Sequence, residues 1–538
     1  MAILVLLALV LLPGTVPSAP QGGSEGTLPS LPDQGPFAVG FRTSWVLDAG
    51  RRYRTAYDEG TTYGAETAAR PLLVNLWYPA VKDPDAPQRR HGDYFQLDVS
   101  DERLAPLAEA LAAYARGIAV EQVLGAAEAA LDEAQRTQFA RWLEEPAGCR
   151  TGAEPLAGPF PLVVVHSGAA SSYEDNAALC VWLAGHGHVV VGSAFQAGDG
   201  SSLETDGGAT SVSDIEGLVR HAATLPFVDA TRVALIGHSL GAQASLRAAA
   251  TPGCPADAVV LLDTTVDYYG LSLPVFESLV RAVSAGRAEV TEPLLVFAGP
   301  QASFALVDRL EGSERLYATV PDLDHDEFIA QGLQRLAARG SVAAARGEPL
   351  AHPDAEGIRR RYAQVLELTR AFLDAHLRGS PERLDALSAR HANGTLESDL
   401  VVELVPRGEH GPAPYDLDRE RPPTPRELLA MVADGGIAEA VAVLRRTRET
   451  RPKHPILTGT MLAGSLLHSC LQRGDEDGAR ALYEALEVPG FSPVSALDFL
   501  ARMAELQGEP DRARTLLEAA DRLDPGNAER RRRLEARR

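Results

Sequence analysis

The chain has 538 residues, too many for one ordinary domain, with 45% hydrophobic and 23% charged residues, a balance normal for globular protein. Its formal net charge of −22 excludes nucleic acid as a partner, because nothing offsets phosphate repulsion, and disfavours attachment to an anionic membrane surface. The four cysteines, Cys149, Cys180, Cys254 and Cys470, show no C-x-x-C spacing, so a zinc site is not expected; no cofactor is expected of this chain.

Residues 1–19 contain an apolar run, 3–12, that is too short to span a bilayer and is followed by Pro13, Gly14, Ser18 and Ala19. They read as a secretory signal peptide, although no Lys or Arg precedes the run, and imply an exported protein, periplasmic or extracellular. Export permits a disulfide, with Cys149–Cys254 as the pair to look for, while Cys180 sits in an apolar helical pattern as a small buried hydrophobe. Residues 20–36, rich in Gly, Pro and Ser, read as a flexible leader.

Strands are expected at 37–46 and 72–78. Leu104, Leu107, Leu111 and Tyr114 then recur at helical spacing, which makes 101–145 a helical insertion. Beyond it, strands at 162–165, 189–191, 233–236, 258–262, 294–297 and 316–320 alternate with helices at 175–184, 214–224 and from Ala242. A long amphipathic helix at 357–377 ends the series. This alternation predicts an α/β domain over 37–378, built on a doubly wound, mostly parallel sheet covered on both faces. No later segment reads as a membrane span.

Residues 379–424 turn polar and proline-rich and read as a linker. Residues 425–538 are helical with an internal period: Gly435 and Ala440, Gly474 and Ala479, and Gly508 and Ala513 can be superposed, with Pro452 and Pro525 closing the first and third units. A Gly in the inter-helix turn, a small Ala at the helix contact and a terminal Pro resemble the tetratricopeptide repeat, which implies a groove for a protein partner.

The richest motif is Gly237-His238-Ser239-Leu240-Gly241, between the apolar run 233–236 and a small-residue helix. Strand, sharp turn and helix in that order make a nucleophile elbow, with glycines where a β-carbon would clash. A serine hydroxyl needs an imidazole to take its proton, a carboxylate to orient the imidazole, and donors for the oxyanion. In this layout the partners follow as acid, then histidine. Asp263 ends the strand after the elbow helix, whereas Ala298-Gly299-Pro300-Gln301 offers no carboxylate at the tip of the next strand, which favours Asp263 over Asp267 and Asp308. His325 lies in the loop after the last strand, crowded by Asp322, Asp324, Asp326 and Glu327, which raise its basicity as suits a general base. His352 is its competitor, while His186, His188 and His221 read as structural and His238 sits inside the elbow, where it cannot also be the base. The expected oxyanion donors are the backbone N–H groups of Leu240 and of Ala169, the latter in the turn after Gly168.

The stretch Leu-Leu-Val-Asn-Leu-Trp-Tyr-Pro-Ala at 72–80, the segment 161–191, the elbow, Asp263 and His325 resemble the α/β-hydrolase superfamily. The Trp-Tyr-Pro-Ala strand and the acid directly after the post-elbow strand are similar to its platelet-activating-factor acetylhydrolase and dienelactone-hydrolase-like branch. The resemblance covers roughly 36–377 and implies metal-free ester hydrolysis by Ser239, Asp263 and His325, with oxyanion donors at Leu240 and Ala169. Two departures bear on acyl preference: His166-Ser167-Gly168 replaces the family's Ser-His-Gly, and Phe195-Gln196-Ala197-Gly198-Asp199 replaces its His-Arg-Asp-like segment. The expected function is a serine carboxylester hydrolase acting on a lipophilic or short-acyl ester, with the insertion shaping acyl binding. The alternative is a degenerate hydrolase scaffold whose helical tail binds a protein partner; a peptidase lacks a visible propeller or cap.

Overall fold

The computed structural model describes residues 35–52, 69–169, 171–195, 209–264, 289–299, 306–320, 323, 325–346, 355–385 and 401–409. Beyond these it describes 422–423, 425–452, 455–457, 475–486, 510–525 and 527–535, with isolated positions between 462 and 501. The expected signal peptide, most of the leader, Asp267, His352 and residues 196–199 lie outside the described residues.

The described strands are β1 (Ala38–Arg52), β2 (Ala69–Ala80), β3 (Gln88–Arg90), β4 (Pro146–Thr151), β5 (Phe160–His166) and β6 (Val189–Gly192), followed by β7 (Val228–His238), β8 (Ala258–Leu262), β9 (Leu294–Ala298), β10 (Arg315–Thr319) and β11 (Val401–Val405). They form one sheet in the order β11-β10-β9-β8-β7-β5-β6-β2-β1-β4-β3. Strands β5 to β10 pair in parallel with one another, while β2 runs antiparallel to both β1 and β6.

Helices α1 (Ala105–Leu124), α2 (Glu133–Glu144), α3 (Ala177–Gly185), α4 (Ala209–Ala222), α5 (Leu240–Ala249), α6 (Ala330–Arg346) and α7 (Ala355–Arg378) accompany the sheet. Side chains of a strand alternate between its faces, so a strand covered on both sides must be apolar throughout. Strand β7 shows this directly. Val233 and Leu235 enter the core shared with α4 and α5, whereas Ala234 and Ile236 enter the core shared with α3 and α7. A mixed sheet with helices on both faces fits the α/β-hydrolase fold.

The chain leaves β5 for β6 on one side and returns to β7 on the other. Such a reversal leaves a crevice beyond the carboxyl ends of the two central strands, where open α/β sheets bind ligands. Ser239 follows β7, the loop 167–169 follows β5, and Asp263 follows β8. Topology thus brings residues that are far apart in sequence to one edge.

Two contacts of the insertion bear on the crevice. At one end α1 and α2 share a core with Ala338 and Val342 of α6, the helix that follows the His325 turn. At the other, Ala115 of α1 packs with Tyr173, beyond the end of β5, and Leu107 and Leu111 pack near Ala194, beyond β6. The insertion therefore abuts the segments that flank the crevice.

Two expectations need correction. All four cysteines are free thiols, and the Cys149–Cys254 pairing fails because the two side chains lie on opposite faces of the sheet. Cys149 packs instead against the Tyr94 hydroxyl at 3.6 Å, and burial pushes its thiol up to about 11. The segment 379–424 is more than a linker, since it contains β11, which pairs antiparallel with β10 from Arg315↔Val405 to Thr319↔Val401. An uncovered β10 would present unpaired N–H and C=O groups; β11 satisfies them and buries Val405 in the core.

In the C-terminal region, α8 (Pro425–Ala433), α9 (Ile437–Thr450), α10 (Glu476–Ala485), α11 (Pro510–Leu523) and α12 (Ala528–Glu535) are described. Helices α8, α9 and α10 share a core in which Ala440 and Ala479 are buried; Ala513, in α11, is buried as well. Among the described residues no helix is long and apolar enough to cross a membrane.

Candidate active site

Ser239 sits at the sharp turn between β7 and α5 with φ 55° and ψ −116°, a left-handed φ that non-glycine residues rarely adopt. Holding it there costs on the order of 1–3 kcal/mol. Three bonds hold the turn: the Ser239 N–H donates to Leu262 O at 3.0 Å, and the Ser239 carbonyl accepts from the N–H groups of Ala242 at 3.1 Å and Gln243 at 3.3 Å. The flanking glycines are dictated by contact. A β-carbon on Gly237 would lie 2.1 Å from Gly241 O, and one on Gly241 would lie 2.3 Å from His166 O and 2.5 Å from Ser167 O.

Asp263 also has a positive φ, 47°, and is fully buried. Its Oδ1 accepts the Gly299 N–H at 2.8 Å, and its Oδ2 meets His325 Nδ1 at 2.6 Å. The carboxylate therefore assigns the tautomer: Nδ1 carries the hydrogen and Nε2 is left as the basic nitrogen. The tip of β9, which carries no carboxylate, supplies an N–H to Asp263 instead. Asp308 is engaged elsewhere, accepting from the Tyr317 hydroxyl at 2.7 Å.

His325 lies in the short 3-10 turn His325–Phe328. His238, the residue before Ser239, lies beside it: its ring is 4.6 Å from the His325 ring and its Nε2 is 2.9 Å from the His325 carbonyl. His186 and His188 are buried in packing roles. His186 bonds Trp182 O through Nδ1 at 2.8 Å, and burial holds both His186 and His188 below the ordinary imidazole range.

The loop after β5 lies against the serine, since a β-carbon on Gly168 would stand 3.1 Å from Ser239 Cβ. Ala169 is in this loop, and Leu240 opens α5. The first N–H groups of a helix lack partners within it, and Leu240 holds the first position of α5. His166 steadies the loop: its Nδ1–H donates to Ser167 O at 2.7 Å, and its Nε2 accepts the Ser211 hydroxyl of α4 at 2.7 Å. Helix α4 is itself tied to β2 by Asp214, which accepts from Arg70 at 2.8 and 2.6 Å. Burial holds the His166 imidazole down to about 4, so it acts as a neutral brace.

A second polar cluster, not expected from the sequence, underlies the same loop. Asp175 accepts the Ser172 N–H at 2.8 Å and the Ser172 hydroxyl at 2.9 Å, and that hydroxyl also contacts Glu174 Oε2. One hydroxyl proton cannot serve two carboxylates. Glu174 must carry its own proton, giving the chain Glu174–OH to Ser172 Oγ–H to Asp175. Burial first, and the Asp175 charge second, push Glu174 well above its ordinary 4.5. A raised carboxyl favours the folded state fully below its unfolded value, and that contribution is lost as pH rises through the folded value. Glu174→Gln keeps the donor and removes the titration. Its melting temperature should match wild type at pH 5 and exceed it by a margin that widens towards pH 8.5. A constant difference across that range would show that Glu174 does not hold the proton.

Among the described residues no cluster of three or more His, Cys, Asp or Glu side chains is arranged to hold a metal ion.

No protein-family model and no curated protein matches the chain. Among solved structures it is similar to a ferulic acid esterase from Streptomyces cinnamoneus, at 19% sequence identity over 67% of this chain and 96% of that one, with a TM-score of 0.43.

Proposed function

We propose that the protein is a serine carboxylester hydrolase. Ser239 Oγ attacks the ester carbonyl carbon while His325 Nε2 takes its proton. Asp263 holds the imidazole in the required tautomer and faces the positive charge that forms. The Leu240 and Ala169 amides stabilise the oxyanion. Collapse of the tetrahedral intermediate breaks the bond to the alkoxy oxygen, which leaves as the alcohol with the proton from His325. Water, deprotonated by the same imidazole, then releases the acid from Ser239.

The observation that carries this reading is the 2.6 Å bond between Asp263 and His325, two buried side chains 62 residues apart, beside a serine held at a left-handed φ. Burying a carboxylate against an imidazole is costly, and such pairs cluster at functional sites. The substrate class is a lipophilic or short-acyl ester, supported by apolar α1 abutting the loops after β5 and β6. The buried Ala440, Ala479 and Ala513 support a tetratricopeptide-like tail that engages a protein partner.

The test is labelling by a fluorophosphonate, which traps an activated serine covalently. Wild type should label and turn over p-nitrophenyl esters, and Ser239→Ala should lose the label and at least roughly 10,000-fold in kcat. Folded wild-type protein that takes no label, or a label that survives in Ser239→Ala, would end the proposal.

A further inference from the structure

His238 occupies the variable position between Gly237 and Ser239, and it is buried. Its Nε2 lies 2.9 Å from the main-chain carbonyl oxygen of His325. A carbonyl can only accept, so Nε2 carries the hydrogen and Nδ1 is the bare nitrogen. That nitrogen faces the loop after β5, 3.2 Å from where a Gly168 β-carbon would stand. The imidazole thus spans the gap between the loop beside Ser239 and the turn that carries His325, a residue 87 positions from His238 in sequence.

The consequence lies in how His325 is held. Asp263 acts on its side chain, at Nδ1. Its main chain belongs to a short 3-10 turn after β10 rather than to a strand, so no sheet ladder fixes it. The His238 bond acts on that main chain, so the ring and the backbone of the base are held by different residues. We propose that His238 is a positioning residue for the base, donating Nε2–H to the His325 carbonyl and so fixing the His325 imidazole relative to the Ser239 hydroxyl. This rests on the assignment of Ser239 and His325 as nucleophile and base.

The task requires a neutral ring. A second cation 4.6 Å from His325 would oppose the imidazolium that forms on proton transfer. Burial first, and the His325 ring second, hold His238 down to about 4, although the His325 carbonyl and the Asp326 and Asp263 carboxylates act in the opposite direction. His238 therefore stays an uncharged donor at neutral pH.

Two substitutions separate the hydrogen bond from the filling of space. His238→Leu fills the site without a donor, whereas His238→Gln offers an amide N–H to the same carbonyl. With p-nitrophenyl butyrate, His238→Leu should lose about 10- to 100-fold in kcat with KM nearly unchanged, because a small misplacement of a catalytic group acts on the transition state alone. His238→Gln should recover most of that loss, and both variants should still take the fluorophosphonate at Ser239. A wild-type kcat in His238→Leu, or an equal loss in both variants, would overturn the positioning role. Should neither variant fold, histidine 15N spectra of the wild-type protein decide: His238 must be the Nε2–H tautomer, and an Nδ1–H form refutes the bond. Failure of wild type itself to label would instead refute the hydrolase assignment.

Discussion

Asp263→Asn should fold normally and lose roughly 10,000-fold in kcat on an activated ester. The size of the effect follows from the two partners of the carboxylate. The Gly299 N–H can only donate, so the carbonyl oxygen of the new amide must face it, at the place where Oδ1 now accepts at 2.8 Å. That orientation turns the amide NH2 towards His325 Nδ1. Two donors cannot share the contact, so the imidazole hydrogen moves to Nε2, and the nitrogen that should receive the serine proton is blocked. Circular dichroism checks the fold, and steady-state kinetics on p-nitrophenyl butyrate check the rate. A rate within tenfold of wild type (roughly 1.4 kcal/mol of barrier) would remove Asp263 from the machinery. Alanine in place of Asp263 lacks the wrong donor and so loses its activity by a different route, through a mispositioned ring.

Gly241→Ala is the second large effect. Its new methyl would meet His166 O at 2.3 Å and Ser167 O at 2.5 Å, and both atoms are backbone. Neither can swing aside as a side-chain end could, so either α5 or the loop after β5 must shift. Overpacking of this kind costs about 1–3 kcal/mol of stability. The functional loss is expected to be larger, about 100- to 1000-fold in kcat, because the displaced loop carries Ala169, the second oxyanion donor proposed above, and losing such a donor has effects of that order. Gly117→Ala is the matched control. Gly117 is exposed on α1 with nothing near its would-be β-carbon, and alanine there should gain about 0.5–1 kcal/mol with no change in rate. Equal rates for the two variants would show that the elbow tolerates a methyl and that the loop does not serve the reaction.

The central strands are legible in the sequence because burial on both faces forces unbroken apolar runs such as Leu162–Val165 and Ala258–Leu262. The Asp263–His325 contact is legible because strand ends in this layout converge on one edge. Other features are hidden for physical reasons. Strand β11 is a short apolar run inside a polar, proline-rich stretch, and only the open flank of β10 gives it a place. Helix α6 is amphipathic, but its apolar face is built largely of Ala with few large side chains to mark it, and its place is set by α1 and α2 packing on it. The Gly299 donor is invisible because almost every residue has a backbone N–H. The partner of His238 lies 87 residues away, beyond any local pattern.

The late return of β11 to the sheet changes where the first half of the molecule ends. Strand β11 is followed by residues that grip the body again: the Gly408 N–H donates to Glu311 O at 2.8 Å, and the buried Arg315 side chain reaches Glu409 O. The seam between the front and rear of the chain therefore falls after Glu409, not at the close of α7. A gene fragment cut behind Arg378 would lack its selvedge and leave a raw ladder of amides ready to knit onto any neighbouring strand.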